Sequence, residues 1–150
     1  MNLPKEFNYF INAGIIRKIK PDFQKSEFLV EESDRTFRGL NKRLDLMGID
    51  KDNANSIIKD CYDLMMELIK AKLFLDGYSS SGNFSHEAEV SYLKELNFSE
   101  NEISFMNELR RNRNSISYYG KLFDEEYADK VVNFAKKVYP SLKKIIGGKK

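Results

Sequence analysis

Between Asn107 and Gly120 the chain reads NELRRNRNSISYYG, a run in which arginine, asparagine and tyrosine crowd together. A guanidinium offers a fixed fork of donors suited to oxyanions, an amide both donates and accepts, and a tyrosine ring gives a flat face on which a base can stack. Advancing about 100° per residue puts Ile103, Met106, Leu109 and Ile116 in one helical arc, with Arg113 inside it between Met106 and Leu109. Arg110 and Ser117 border the arc, Asn114 lies a little further round, and Arg111 and Asn112 point away. An arginine on a core-facing stripe keeps its charge and needs acceptors. It is either paired with a carboxylate of its own chain or held at a groove open to an anion. Tyr118, Tyr119 and Gly120 follow, the glycine marking a helix end. The residues leave both readings open.

Composition narrows the setting. The chain has 150 residues, enough for one domain with a proper core and no need of metals or disulfides. Charged residues make up 32% and hydrophobic ones 41%, as in a globular protein and unlike a disordered one. Lys+Arg 25 against Asp+Glu 23 leaves a net charge of +2, so any basic surface must be local. The single cysteine, Cys61, cannot form an intramolecular disulfide and fits a reducing compartment. No apolar run approaches the roughly 18 residues of a membrane span. The first twenty residues are interrupted by Lys5, Glu6, Asn8 and Asn12, which makes a poor signal-peptide core. The chain reads as cytoplasmic. It carries no phosphate-binding loop, dinucleotide fingerprint, zinc spacing or nucleophile elbow, so no cofactor and no metal are expected. The carboxylate pairs Asp63–Glu67 and Glu125–Glu126 read as solvated faces or helix first turns.

The elements that must position the arginine are helical. Prolines occur only at 4, 21 and 140, and strong two-residue alternation is missing, which argues for an all-α domain. An N-terminal helical arm, residues 1–20, is predicted to be helical from Lys5 to about Ile19. A long helix runs from Pro21-Asp22 to Met47, its stripe Phe23, Val30, Phe37, Leu40, Leu44 and Met47; Ser26 and Ser33 share that arc, and the helix is expected to pack along its whole length. A second runs from about Asn53 to Asp76 with Gly77 as its stop, Ile57, Cys61, Leu64, Leu68, Ala71 and Leu75 facing the core and Lys59, Asp63, Glu67 and Lys70 facing water. The few residues between them require an antiparallel hairpin. GYSSSGN, 77–83, reads as a flexible connector. A short helix capped by Ser85 follows, then one opened by the capping box of Ser99 and Glu102. The last starts near Asp124; Pro140 should kink or end it, and residues 147–150 should form a frayed basic tail.

The sequence resembles a HEPN domain over most of its length. The elements that carry the resemblance are IRKIKPD, the helix ending KAKLFLDGY, the turn GYSSSGNFSH, SHEAEVSYLKEL and above all ELRRNRNSISYYG. The resemblance implies an antiparallel helical bundle, an up-and-down pair of long helices with shorter ones packed on it. It also implies a homodimer whose two motifs meet across a groove; in ribonuclease members such a groove cleaves RNA without metal through an arginine, a polar residue and a histidine a few positions on. Arg113 and Asn114 match the first two positions, whereas the histidine position falls on Tyr118. A tyrosine found two places after the histidine in toxin variants would fall on Gly120. Tyrosine, with an ordinary pKa of about 10, is a poor base at neutral pH. Cleavage is therefore expected to be lost and the groove to persist as a binding module for a nucleotide, RNA, or a nucleotidyltransferase or toxin–antitoxin partner. Its residues would be Arg113, Asn114, Arg110, Tyr118, Tyr119 and His86. The alternatives are a metal-independent endoribonuclease using Arg113, Asn114 and Tyr118, and a plain helical scaffold. His86 is the chain's only histidine; at the second position of a helix it either faces solvent or is folded back towards the groove.

Overall fold

The computed structural model describes residues 1–147. The fold is all-α, a helical bundle, with six helices and one two-stranded sheet among the described residues: α1 (Phe7–Asn12), β1 (Ile16–Lys18), α2 (Phe23–Met47), α3 (Ala54–Asp76), β2 (Tyr78–Ser80), α4 (Ser85–Glu95), α5 (Glu100–Tyr119) and α6 (Glu125–Gly147). The hairpin of α2 and α3 is its frame, and α6 packs along α3 beside it.

α3 is the centre because its sequence is apolar on nearly every side. Ile57, Ile58, Cys61, Leu64, Met65, Leu68 and Ile69 are all buried, and a helix apolar all round has to be enclosed by its neighbours. α2 covers one flank. Asp22 caps its start, its carboxylate accepting from the Lys25 amide at 3.0 Å. Ser26 and Ser33 are buried as small residues on a contact stripe, and the Ser33 hydroxyl donates to the Leu64 carbonyl at 2.7 Å. The cover is narrower than the sequence suggests: Phe23 and Met47 are exposed, so α2 packs through its middle and not along its whole length. α6 takes another flank with Ala128, Val131, Val132, Ala135, Val138 and Leu142. Tyr139 stacks on Phe37, and Lys143 reaches Asp34 at 2.7 Å, tying α6 to α2.

Three expectations about the elements are corrected. The N-terminal helix spans only Phe7–Asn12; after the turn at Ala13-Gly14 the chain becomes β1. Ile16, Arg17 and Lys18 pair antiparallel with Ser80, Ser79 and Tyr78, so the first half of the supposed flexible connector is a strand. Ile16 is buried while Arg17 and Lys18 are exposed, a local pattern too short to stand out as strand alternation. Pro140 does not end the last helix, which continues to Gly147. The lost amide bond lies at an exposed position, while Val138 and Leu142 on either side stay buried and hold the helix to the core. Gly147 thus belongs to α6, and the remainder of the expected tail, 148–150, lies outside the described residues.

The helices that carry the arginine run are differently started. α5 opens with the capping box the sequence announces: the Ser99 hydroxyl accepts from the Glu102 amide at 3.1 Å, and the Glu102 carboxylate from the Ser99 amide at 3.0 Å. α4 lacks a side-chain cap. Ser85 is its first helical residue, and Phe84 stands at the cap with φ 68°, an uncommon conformation for a bulky residue.

Gly77 joins α3 to β2 at φ 86°, where an added Cβ would lie 2.9 Å from the Ile19 carbonyl oxygen. Gly39, within α2, has open space at the same position. Gly77→Ala is expected to destabilise the protein by roughly 1–3 kcal/mol, and Gly39→Ala to stabilise it by about 0.5–1 kcal/mol. Thermal denaturation of the two variants checks both signs.

Candidate functional site

α5 crosses α3 so that Arg113 and Asn114 look onto Tyr62, Asp63, Met66, Glu67 and Lys70. His86 from the first turn of α4 and Tyr118 complete a cavity of about 280 Å³. Spacings of three and four residues place Asp63, Glu67 and Lys70 on one side of α3. Of the residues singled out in the sequence, the structure brings Arg113, Asn114, Tyr118 and His86 together and leaves two apart. Arg110 donates from Nε to the Asn107 amide oxygen at 3.0 Å and lies 4.0 Å from Glu87, outside the cavity lining. Tyr119 is 84% exposed and also outside it.

Arg113 is not free in solvent, and its own chain satisfies its donors only in part. One terminal nitrogen donates to Ser117 Oγ at 2.8 Å, and the other is 3.7 Å from Asp63 Oδ1, an ion-pair distance but not a hydrogen bond. The guanidinium carbon lies 5.9 Å from the centroid of the Tyr62 ring. Its Nε is buried and unpartnered. Two further buried side-chain atoms without a hydrogen-bond partner, Tyr62 Oη and Glu67 Oε1, belong to residues lining the same cavity. Among the described residues these are the buried unpartnered side-chain polar atoms, and one cavity gathers all of them. Each such group raises the free energy of the fold by about 1–3 kcal/mol, and a cluster of them calls for an explanation.

Burial and crowding of acids tune the carboxylates. Glu67 is pushed from its ordinary 4.5 up to about 7, first by burial and then by Asp63 and Glu32, against the pull of Lys70 and Arg35. Asp63 is also raised: burial outweighs the attraction of Arg113. Burial likewise pushes the Tyr62 phenol up, so it stays a neutral donor. On the opposite wall His86 Nδ1 lies 3.1 Å from Oε1 of the buried Glu89, whose other oxygen accepts from the Ser80 hydroxyl. Strand β2 and helix α4 thus fix the ring through Glu89.

The sequence reading missed Tyr62, Asp63, Met66, Glu67 and Lys70. The polar members were assigned to a water-facing side of α3, whereas Asp63, Glu67 and Lys70 are half-buried and form the cavity wall. The available signal was a tyrosine followed by spaced acids in an otherwise aliphatic helix. Among the described residues, no group of His, Cys, Asp or Glu could hold a metal ion, and no helix is long and apolar enough to cross a membrane. No family model, no curated protein and no solved structure matches the chain.

The raised Glu67 carboxyl gives a stability prediction. The unfolded chain releases this proton near pH 4.5 and the folded chain near 7, so the group's contribution worsens as pH rises between these values. Glu67→Gln is therefore expected to raise the melting temperature by a few degrees above about pH 7 and to have little effect near pH 4. A pH series of melting curves checks it; a loss of stability at high pH would contradict the burial argument.

Proposed function

We propose that the chain is a HEPN-like binding module of the cytoplasm, a homodimer that holds a nucleotide or an RNA phosphate through Arg113 and Asn114 without cleaving it. The observation that carries this reading is the incompletely satisfied Arg113, its Nε unpartnered beside the cavity and its nearest carboxylate 3.7 Å away. A guanidinium matches a phosphate through charge and a planar fork of donors. Lys70 adds a second cation, and the Asn114 amide both donates and accepts. Tyr118, 76% exposed at the edge of the cavity, offers a stacking face. Tyr118 and Tyr119 at the end of α5 and Leu122 just beyond it are exposed large side chains, which supports contact with a second copy.

One observation favours a second reading, a metal-independent endoribonuclease. His86 does not occupy the motif position, yet it lines the cavity with Arg113 and is oriented by Glu89. An imidazole held in this way, when neutral, can take the proton of a ribose 2′-hydroxyl as its oxygen attacks phosphorus and the P–O5′ bond breaks, the departing 5′-oxygen taking a proton from water.

Arg113→Ala is expected to weaken nucleotide or RNA binding about tenfold or more while the helical circular dichroism stays unchanged. Unaltered affinity would remove the binding reading. Incubation with RNA in chelator separates the two proposals. The binding module leaves RNA intact; the nuclease cleaves it, and loses that activity in both His86→Ala and Arg113→Ala.

A further inference from the structure

A phosphate site accounts for Arg113 and Lys70 but not for what faces them. Two carboxyl groups, Asp63 and Glu67, line the same cavity and repel an anion. The Tyr62 hydroxyl, on a residue only 4% exposed, and Glu67 Oε1 have no partner and are closed to water, so a ligand meets them only as these two side chains shift into the cavity. A ligand that fits all of these groups carries a negative group for the cations, and N–H donors together with an acceptor for the acid and the phenol.

Nucleobases differ in this respect. Guanine presents adjacent N1–H and N2–H donors, which match the two oxygens of one carboxylate, with the O6 acceptor beside them. Adenine and cytosine set a ring acceptor next to their amino group, so a carboxylate meets a lone pair. Uracil offers a single N–H between two carbonyls. A cavity of about 280 Å³ lies just below the usual span of ligand pockets, about 300 to 1,000 Å³. It suits one nucleotide rather than a longer segment.

We infer that the pocket selects guanine: Glu67 accepts from the base's paired N–H donors, the Tyr62 hydroxyl donates to O6, and Arg113 and Lys70 hold the phosphate. This rests on the pocket being a nucleotide site, as proposed above. The guanine comes from a free nucleotide or from a guanosine in RNA, since both present the same edge. Glu67 and Tyr62 are then specificity residues, and a substitution that removes either leaves the phosphate contacts in place.

The test is calorimetric titration of the full chain with GMP, AMP, CMP and UMP. GMP is expected to bind about tenfold or more tightly than the others. Glu67→Gln is expected to abolish that preference and, by removing a charge that repels the phosphate, to raise the affinity all four share above about pH 7; Tyr62→Phe reduces the preference. Equal binding of the four, absence of GMP binding, or a preference that survives Glu67→Gln overturns the inference. Arg113→Ala separates the two levels: it weakens all four nucleotides if the phosphate reading holds, and if it weakens none that reading fails whatever the base preference.

The unaltered protein supplies a check independent of folding of the variants. Glu67 faces Asp63 and Lys70 on its own helix, Glu32 and Arg35 on α2, and His86 and Arg113 across the cavity. Its carboxyl ionises near 7. The ratio of GMP to UMP affinity should therefore rise between about pH 6 and pH 8, while the phosphate's own ionisation affects both ligands alike. A flat ratio contradicts the assignment. Competition by a short guanosine-containing oligoribonucleotide identifies the source: tighter binding than GMP points to RNA, weaker binding to the free nucleotide.

Discussion

The need to bury α3 governs this molecule. A helix with Ile57, Ile58, Leu64, Met65, Leu68 and Ile69 all within 1% exposure leaves only a narrow polar edge to water along its middle, and the other helices are arranged to close around the rest. Burial of apolar surface stabilises by roughly 25 cal/mol per Å², a surplus large enough to hold a few polar groups in unfavourable places. Those places are not scattered. Tyr62, Glu67 and Arg113 leave unpartnered atoms around one cavity, where α5 and the first turn of α4 meet the polar edge of α3. Local strain and unmet polarity persist in a fold when the rest over-determines them, and they concentrate where ligands bind.

The electrostatics of the cavity follow from that burial. Arg113 has one hydroxyl and one carboxylate, Asp63 at 3.7 Å, for company, while burial drives the acids facing it towards their neutral forms. The result is a small space holding a cation short of acceptors, an acid that ionises near neutrality and a phenol that remains a donor. His86, fixed by Glu89 and Ser80, closes the opposite wall. A purely structural arginine is usually matched by a carboxylate at hydrogen-bonding distance; here Asp63 pairs at 3.7 Å without a hydrogen bond, and Nε has no acceptor.

Much of the fold was legible because it rests on periodicity. The α2–α3 hairpin, the buried serines of α2 and the capping box of α5 follow from spacing and capping chemistry. The short sheet was not legible: three residues on each strand carry too little alternation, and their pairing is fixed by Gly77 and the Ile19 carbonyl brought close in space. Pro140 misled because its penalty is local, whereas the buried stripe of α6 continues past it to Leu142. Of the site, Arg113 stood out as a charge on an apolar arc, and Asn114 and Tyr118 came with it. Tyr62, Glu67 and Lys70 did not, since polar residues on one side of a helix look alike whether water or another helix's polar edge faces them. Only the crossing of α5 over α3 decides which it is.

The central claim, that Arg113 is kept short of acceptors for a ligand, is tested most directly at the atom concerned. Nitrogen-15 spectra of the arginine side chains, with Arg113 assigned through its Ala variant, report the Nε–H during addition of a guanine nucleotide. The account predicts that this signal moves as the site fills, to the position of a hydrogen-bonded group. An Arg113 signal that is unchanged while the nucleotide binds, or that already lies at the position of a hydrogen-bonded group in the free protein, would contradict it.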